Sequence, residues 1–204
     1  MSEPPVFDAS FAAQFAALLA WRRDVRRFRR EPLPEGLVDT LLRQAELSPS
    51  VGHSQPWRWM RVTQAEQRAA IQQSFERCNA QALGAYDGDR AQLYAQLKLE
   101  GLREAPEQIA VFCDHGTQRG HGLGRRTMPE MLDYSVVAAI TQFWLAARVA
   151  GVGVGWVSIL EPDAVTATLG TPPDWKLIAY LCIGWPDDEH DVPELVRAGW
   201  ESGR

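Results

Sequence analysis

From about Leu132 to Ala150 the chain places apolar residues on almost every side of a helix: Val136, Ala139, Ile140, Phe143, Trp144 and Ala147 leave little room for a wet face. A helix of that kind is buried on most sides, so it sits either centrally in the fold or at an interface between two copies. Gly151 ends it. The next residues, Val154 to Leu160, predict a strand. Pro162 to Leu169 predict a short helix and Leu177 to Gly184 a second buried strand. Helix and strand alternate along this half of the chain.

The N-terminal half gives more elements. Ser10 can cap a helix whose apolar residues Phe11, Phe15, Leu18 and Leu19 form one stripe. Pro34 starts a second helix with Leu37, Leu41 and Leu42 inward, ending near Ser48-Pro49. Trp57 to Val62 alternates and predicts a strand. Residues 64–104 read as helical but polar, broken at Gly84 and at Asp87-Gly88. So little apolar surface suits a cover or lid, most clearly over about 76–104. Ile109 to Cys113 predicts a short buried strand, and 115–131 a loop. The tail from about 186 to 204 lacks periodicity and is expected to lie on another surface. At 204 residues, all of this fits one domain, 1–204.

Charge and cysteine usage exclude several function classes. There are 21 basic and 26 acidic residues, a net charge of −5, which argues against a nucleic-acid binder. No charge-free stretch reaches membrane-spanning length, and the start shows no secretory pattern, so a cytoplasmic protein is expected. Cys78, Cys113 and Cys182 form no CxxC pair, so neither a disulfide framework nor a structural metal site is expected.

Three stretches could carry chemistry. Six of the nine residues from Arg22 to Arg30 are arginine in a chain that is acidic overall. Concentrated guanidinium suits an anion, and the planar fork of Arg matches phosphate. Asp24 is the one acid among them. It is either an ion-pair strut for Arg23 or Arg27, or a carboxylate held near the reactive part of a ligand. In Ser48-Pro-Ser-Val-Gly-His-Ser-Gln-Pro-Trp57, small residues and turn formers could present backbone N–H groups to a ligand edge. In Gly151-Val-Gly-Val-Gly-Trp-Val-Ser158 the dinucleotide fingerprint fails, because its third glycine would fall at Trp156 and the order is helix, glycine, strand. Those glycines instead suggest close backbone approach to a flat ligand, with Ser158 pointing at it.

These stretches carry a resemblance. Arg22-Arg23-Asp24-Val25-Arg26, SPSVGHSQPW (48–57), LKLEG (97–101), TMPEMLDYS (127–135) and FWLAAR…GVGVGWVS (143–158) resemble the FMN-dependent nitroreductase fold and, within it, the 5,6-dimethylbenzimidazole synthase family. The resemblance spans about residues 11–200. It implies an α+β fold, a nitroreductase-like mixed sheet surrounded by helices in an intertwined homodimer, with FMN at each subunit interface. Arg22, Arg23 and Arg26 would meet the phosphate and the polar edge of the flavin, with Val25 beside them. Ser50 and Gly52 would lie along the flavin, Leu99 would pack on its rings, and Gly155 and Ser158 would face its reactive side. Asp24 and Ser158 would be the catalytic pair. The implied activity is oxygen-dependent conversion of reduced FMN (FMNH2), as substrate, to 5,6-dimethylbenzimidazole with erythrose 4-phosphate as co-product. A flavin reductase would supply the FMNH2, and no metal is required. Rival readings are an NAD(P)H-dependent nitroreductase or reductive dehalogenase, which needs an open face for a second substrate, and a non-catalytic flavin-binding protein.

Overall fold

A computed structural model describes residues 3–203. Four strands form one sheet in the order β1-β2-β4-β3: β1 (Trp57–Arg61), β2 (Glu107–Asp114), β3 (Gly153–Val157) and β4 (Trp175–Gly184). All three strand pairings are antiparallel. The one parallel pairing among the described residues is an isolated bridge outside the strand pairings, Asp24 to Val154.

Strand alternation divides the core in two. Ile109, Val111 and Cys113 of β2, with Ala179, Leu181 and Ile183 of β4, face α5 (Met131–Val149) and α2 (Leu37–Ala45). Ala110, Phe112, Tyr180 and Cys182 point the other way, toward α3 (Ala65–Leu83) and α6 (Pro162–Leu169). Two buried polar side chains of the second layer, Tyr180 and Gln108, are paired. Tyr180 Oη donates to Gln108 Oε1 at 2.6 Å, and Gln108 Nε2 donates to the Leu102 carbonyl at 2.7 Å. Arg68 also holds the carbonyls of Val62 and Pro106. The end of the polar excursion is therefore tied to the sheet.

Three expectations need revision. The first helix, α1 (Ala9–Trp21), is capped by Asp8, whose carboxylate accepts from the Phe11 N–H at 2.8 Å, and Ser10 lies inside it. The polar stretch is not all cover, since Ile71, Ser74 and Phe75 of α3 are buried and only the later part, with α4 (Gly88–Gln96), lacks a buried face beyond Tyr94. The all-round apolar helix, α5, buries one stripe (Leu132, Val136, Ala139, Ile140, Phe143 and Ala147) within its own chain. Tyr134, Val137 and Val149 remain exposed.

The uncovered faces belong together. Helix α1 buries no residue at all. Its aromatic stripe stacks Phe7 on Phe11 and Phe11 on Phe15 at centroid distances of 4.7 and 6.5 Å, yet Phe11, Phe15 and Leu19 are 45–47% exposed. A helix this short is marginal in water without packing, so its apolar side calls for a partner. No helix among the described residues is long and apolar enough to cross a membrane.

Candidate active site

The arginine run is extended chain laid along the outer edge of β3. Arg22 leaves α1 with extended dihedrals, Val25 N–H donates to the Val154 carbonyl at 3.1 Å, and Arg29 N–H donates to the Trp185 carbonyl at 2.9 Å. The glycines of β3 make this possible. A Cβ on Gly155 would collide with the Val25 carbonyl oxygen, and one on Gly153 would come within 3.0 Å of the Val25 side chain. The Cβ sides of these glycines thus receive the chain's own segment 24–26, not a flat ligand as the sequence suggested.

The segment is pinned further on by Phe28, which is 5% exposed and lies against Gly101 and Gly184. Phe28 was not singled out in the sequence, although one aromatic in a basic run was the available signal.

Asp24 is the fixed point of the arrangement. One carboxylate oxygen accepts from Arg26 Nε at 2.8 Å and the other from the Trp156 backbone N–H at 2.9 Å. Two donors, one cationic, hold the carboxylate from two sides. Ser158 follows two residues after the Trp156 amide, just beyond the end of β3, and is exposed.

The other arginines divide their roles. Arg22 lies over the Trp144 ring at 4.8 Å; burial and the charge of Arg23 hold it below its ordinary pKa against the pull of Asp24. Arg23 donates to the Asp191 carbonyl at 2.6 Å. Arg26 also reaches the Lys98 carbonyl at 3.2 Å. Leu99 is half-buried against the second core layer.

The tail closes one side of this cleft. Phe28 bridges to Pro186, Arg27 pairs with Glu194 at 3.2 Å, and Arg148 pairs with Glu189. Trp200 then packs on Tyr86 and Tyr94, with Arg90 over its ring at 4.8 Å. The tail lies on a surface, as expected; that surface is the arginine segment and α4.

Ser50 and Gly52 stand elsewhere. Their loop is anchored at the start of α5, where Val51 N–H donates to Ser135 Oγ at 3.0 Å, and Ser50 Oγ accepts from the Gln55 N–H at 3.0 Å. The arginine segment meets α5 at Trp144, nine residues or about 14 Å further along the helix axis. The loop also precedes β1, at the opposite edge of the sheet from β3. One chain therefore brings together Arg22, Arg23, Asp24, Val25, Arg26, Leu99 and Gly155, but not Ser50 and Gly52. The Cβ side of Gly52 is closed by the Leu123 and Gly120 carbonyls.

That distant loop has the marks of a ligand-facing segment. His53 and Gln55 hold left-handed φ values of 54° and 45°, each costing on the order of 1–3 kcal/mol. The hydroxyls of Ser48 and Ser54 are buried without a hydrogen-bond partner.

Another cluster has potential metal ligands. Cys113, His115 and Asp133 place one ligand atom each within 4.8 Å of the others. Asp133 already meets the Lys176 ammonium at 2.6 Å and His115 at 2.7 Å, and burial pushes the Cys113 thiol far up. Burial also opposes the charge on Asp133, but the hydrogen bonds from Lys176 and His115 outweigh it and hold the carboxyl below its ordinary range. The cluster acts as an anchor between α5, β2 and β4.

Comparison with known proteins places the chain in a family. The nitroreductase family model matches residues 19–185. The chain is 56% identical over 204 residues to 5,6-dimethylbenzimidazole synthase of Rhodospirillum rubrum, covering all of this chain and 97% of that one. Among solved structures, iodotyrosine deiodinase bound to FMN and 3-iodo-L-tyrosine superposes with a TM-score of 0.71 at 24% identity, over 86% of this chain and 91% of that one. A BluB-like flavoprotein of Clostridium difficile 630 gives 0.67 at 19%, over 88% and 93%. The chain belongs to the nitroreductase family and, by similarity along its whole length, to the 5,6-dimethylbenzimidazole synthases within it.

Proposed function

We propose that the protein consumes FMNH2 as a substrate and, with oxygen, converts it to 5,6-dimethylbenzimidazole, leaving erythrose 4-phosphate. The observation that carries this reading is Asp24: a carboxylate held by two donors inside a run of arginines. A site that only bound phosphate would lose attraction by including it.

The residues present suit FMN. Arg22 and Arg23 offer guanidinium donors beside Trp144, and the depressed pKa of Arg22 reflects burial and cationic crowding that a phosphate would relieve. The unpartnered hydroxyls of Ser48 and Ser54 lie in the loop that carries Ser50 and Gly52. Reduced flavin supplies the electrons for oxygen chemistry. The protein's part is to hold the phosphate, exclude water with α4 and the 97–104 segment, and take up or relay protons at Asp24 and Ser158. Leu99 offers an apolar surface to the rings.

Because Ser50 and Gly52 lie far from the arginines of their own chain, the site is completed by the loop of a second copy. Packing α1 and the outer side of α5 against that copy would cover the exposed aromatic stripe. Sedimentation is expected to give a dimer, and Phe11→Glu/Phe15→Glu to give monomer with FMN affinity lowered at least tenfold. Full FMN affinity in a monomer would refute the shared site. A flavin reductase, in the cytoplasm, would supply FMNH2 by diffusion or brief contact.

Phosphate recognition gives a second expectation. Arg23→Ala removes charge-assisted hydrogen bonds of about 1.5–3 kcal/mol, so FMN affinity should fall about 10- to 100-fold with riboflavin affinity nearly unchanged. Equal losses for both ligands would remove the phosphate role. The reading as a whole is tested by mixing the protein with FMNH2 in air, without nicotinamide, and separating products by chromatography. Dimethylbenzimidazole is expected. Its absence, together with NADH-driven reduction of a nitroaromatic, would favour the nitroreductase alternative.

A further inference from the structure

We infer that Arg26 is a positioning residue whose guanidinium locks the Asp24 carboxylate to the Lys98 carbonyl, so that seating of segment 97–105 and orientation of Asp24 are a single event. The role given to Asp24 rests on the synthase reading; the mechanical coupling does not.

The evidence is geometric. Arg26 Nε donates to Asp24 Oδ2 at 2.8 Å while its Nη1 donates to the Lys98 carbonyl at 3.2 Å, across 72 residues of sequence. Its side chain is 13% exposed, against 42% for Arg27 and 49% for Arg29 in the same run. It points inward at two acceptors, the Asp24 carboxylate and the Lys98 carbonyl. The far end of the bridge is tied by side-chain contacts. Lys98 Nζ pairs with Glu104 at 3.1 Å, and Gln108, which is buried, holds the Leu102 carbonyl. Only a planar fork spans two acceptors on separate segments in this way; an ammonium is one point of charge. Asp24 is held from the other side by the Trp156 amide, so a shift of 97–105 pulls on one donor of the carboxylate and not on the other.

Coupling of this kind is reciprocal. The Asp24 carboxylate accepts from Arg26 and Trp156 and not from 97–105, yet Asp24→Asn should loosen that segment. Two donors face the two Asp24 oxygens, and an amide presents an acceptor to only one of them. The test is hydrogen exchange on the full-length protein with FMN added, read in peptides covering 97–105. Asp24→Asn and Arg26→Gln should each raise exchange there about tenfold, the scale of one charge-assisted hydrogen bond. The double variant should add nothing further, and β4 peptides should stay unchanged. Arg26→Lys should resemble Arg26→Gln, and both should lower FMN and riboflavin affinity by the same factor. The inference is overturned if Asp24→Asn leaves 97–105 at the wild-type rate, if Arg26→Lys behaves as wild type, or if Arg26→Gln loses FMN selectively, which would make it a phosphate ligand. Failure of the wild type to form dimethylbenzimidazole would sink the synthase reading while leaving the exchange result intact.

Discussion

Asp24→Asn should keep the fold and bind FMN within a few-fold of wild type, yet form dimethylbenzimidazole at least 100-fold more slowly. The carboxylate is bound on both oxygens, by Arg26 Nε and by the Trp156 amide. An amide of nearly the same size retains one of these contacts and loses the other, a cost of about 1–3 kcal/mol. A domain of this size tolerates that loss. What the amide cannot do is accept a proton, and positioned proton transfer contributes typically about 10²–10⁴ in rate. Three quantities separate the outcomes: FMN affinity, oxidation of FMNH2 by oxygen, and product yield. Surviving affinity and oxidation with lost product assigns Asp24 to fragmentation. Product at the wild-type rate would make it a strut and contradict the mechanism.

The second large effect is on folding. In Gly155→Ala the new methyl would overlap the Val25 carbonyl oxygen. Backbone cannot swing aside as a flexible side chain can, so segment 24–26 must leave β3. That breaks the bond from Val25 to Val154 and the one from the Trp156 amide to Asp24. Overpacking costs about 1–3 kcal/mol, and each lost bond about 1, giving an expected loss of about 3–5 kcal/mol in denaturant unfolding together with loss of FMN binding. Gly84→Ala serves as the control. A Cβ there would meet only the Gln81 and Ala80 carbonyl oxygens of the preceding helix turn, at ordinary distances of 3.4 and 3.7 Å, and its φ is −66°, so the change should stay within about 0.5 kcal/mol. A Gly155→Ala protein as stable as that control would mean the arginine segment does not depend on this edge.

Much of the chain was legible because local chemistry sets it. The short helix that the sequence predicts over Pro162 to Leu169 is α6, with Gly170 at its C-terminal cap. Gly84 and Asp87-Gly88 part α3 from α4, and the all-apolar runs become the buried strands β2 and β4. The misreadings came from contacts between distant residues. The glycines at 153 and 155 announce close approach, but only the fold shows that the approaching chain is Val25. The arginine run announces an anion, yet Arg26 spends its fork on Asp24 and on a carbonyl 72 residues away. The tail's acids meet Arg27 and Arg148 through the fold, and no spacing in sequence encodes that. At α1 the sequence reading puts the cap at Ser10; Asp8 takes that place because its carboxylate lies three residues before the Phe11 amide it accepts from. The gathering of Ser50 and Gly52 with the arginines is out of reach of one chain altogether.

The central claim is that FMN is consumed and not recycled. The direct measurement is a single-turnover mass balance in air, with FMNH2 below the enzyme concentration and all flavin-derived species quantified by chromatography and absorbance. The account predicts dimethylbenzimidazole in proportion to flavin lost, with little oxidised FMN regenerated. Complete return of the flavin as oxidised FMN, with hydrogen peroxide and no dimethylbenzimidazole, would contradict it.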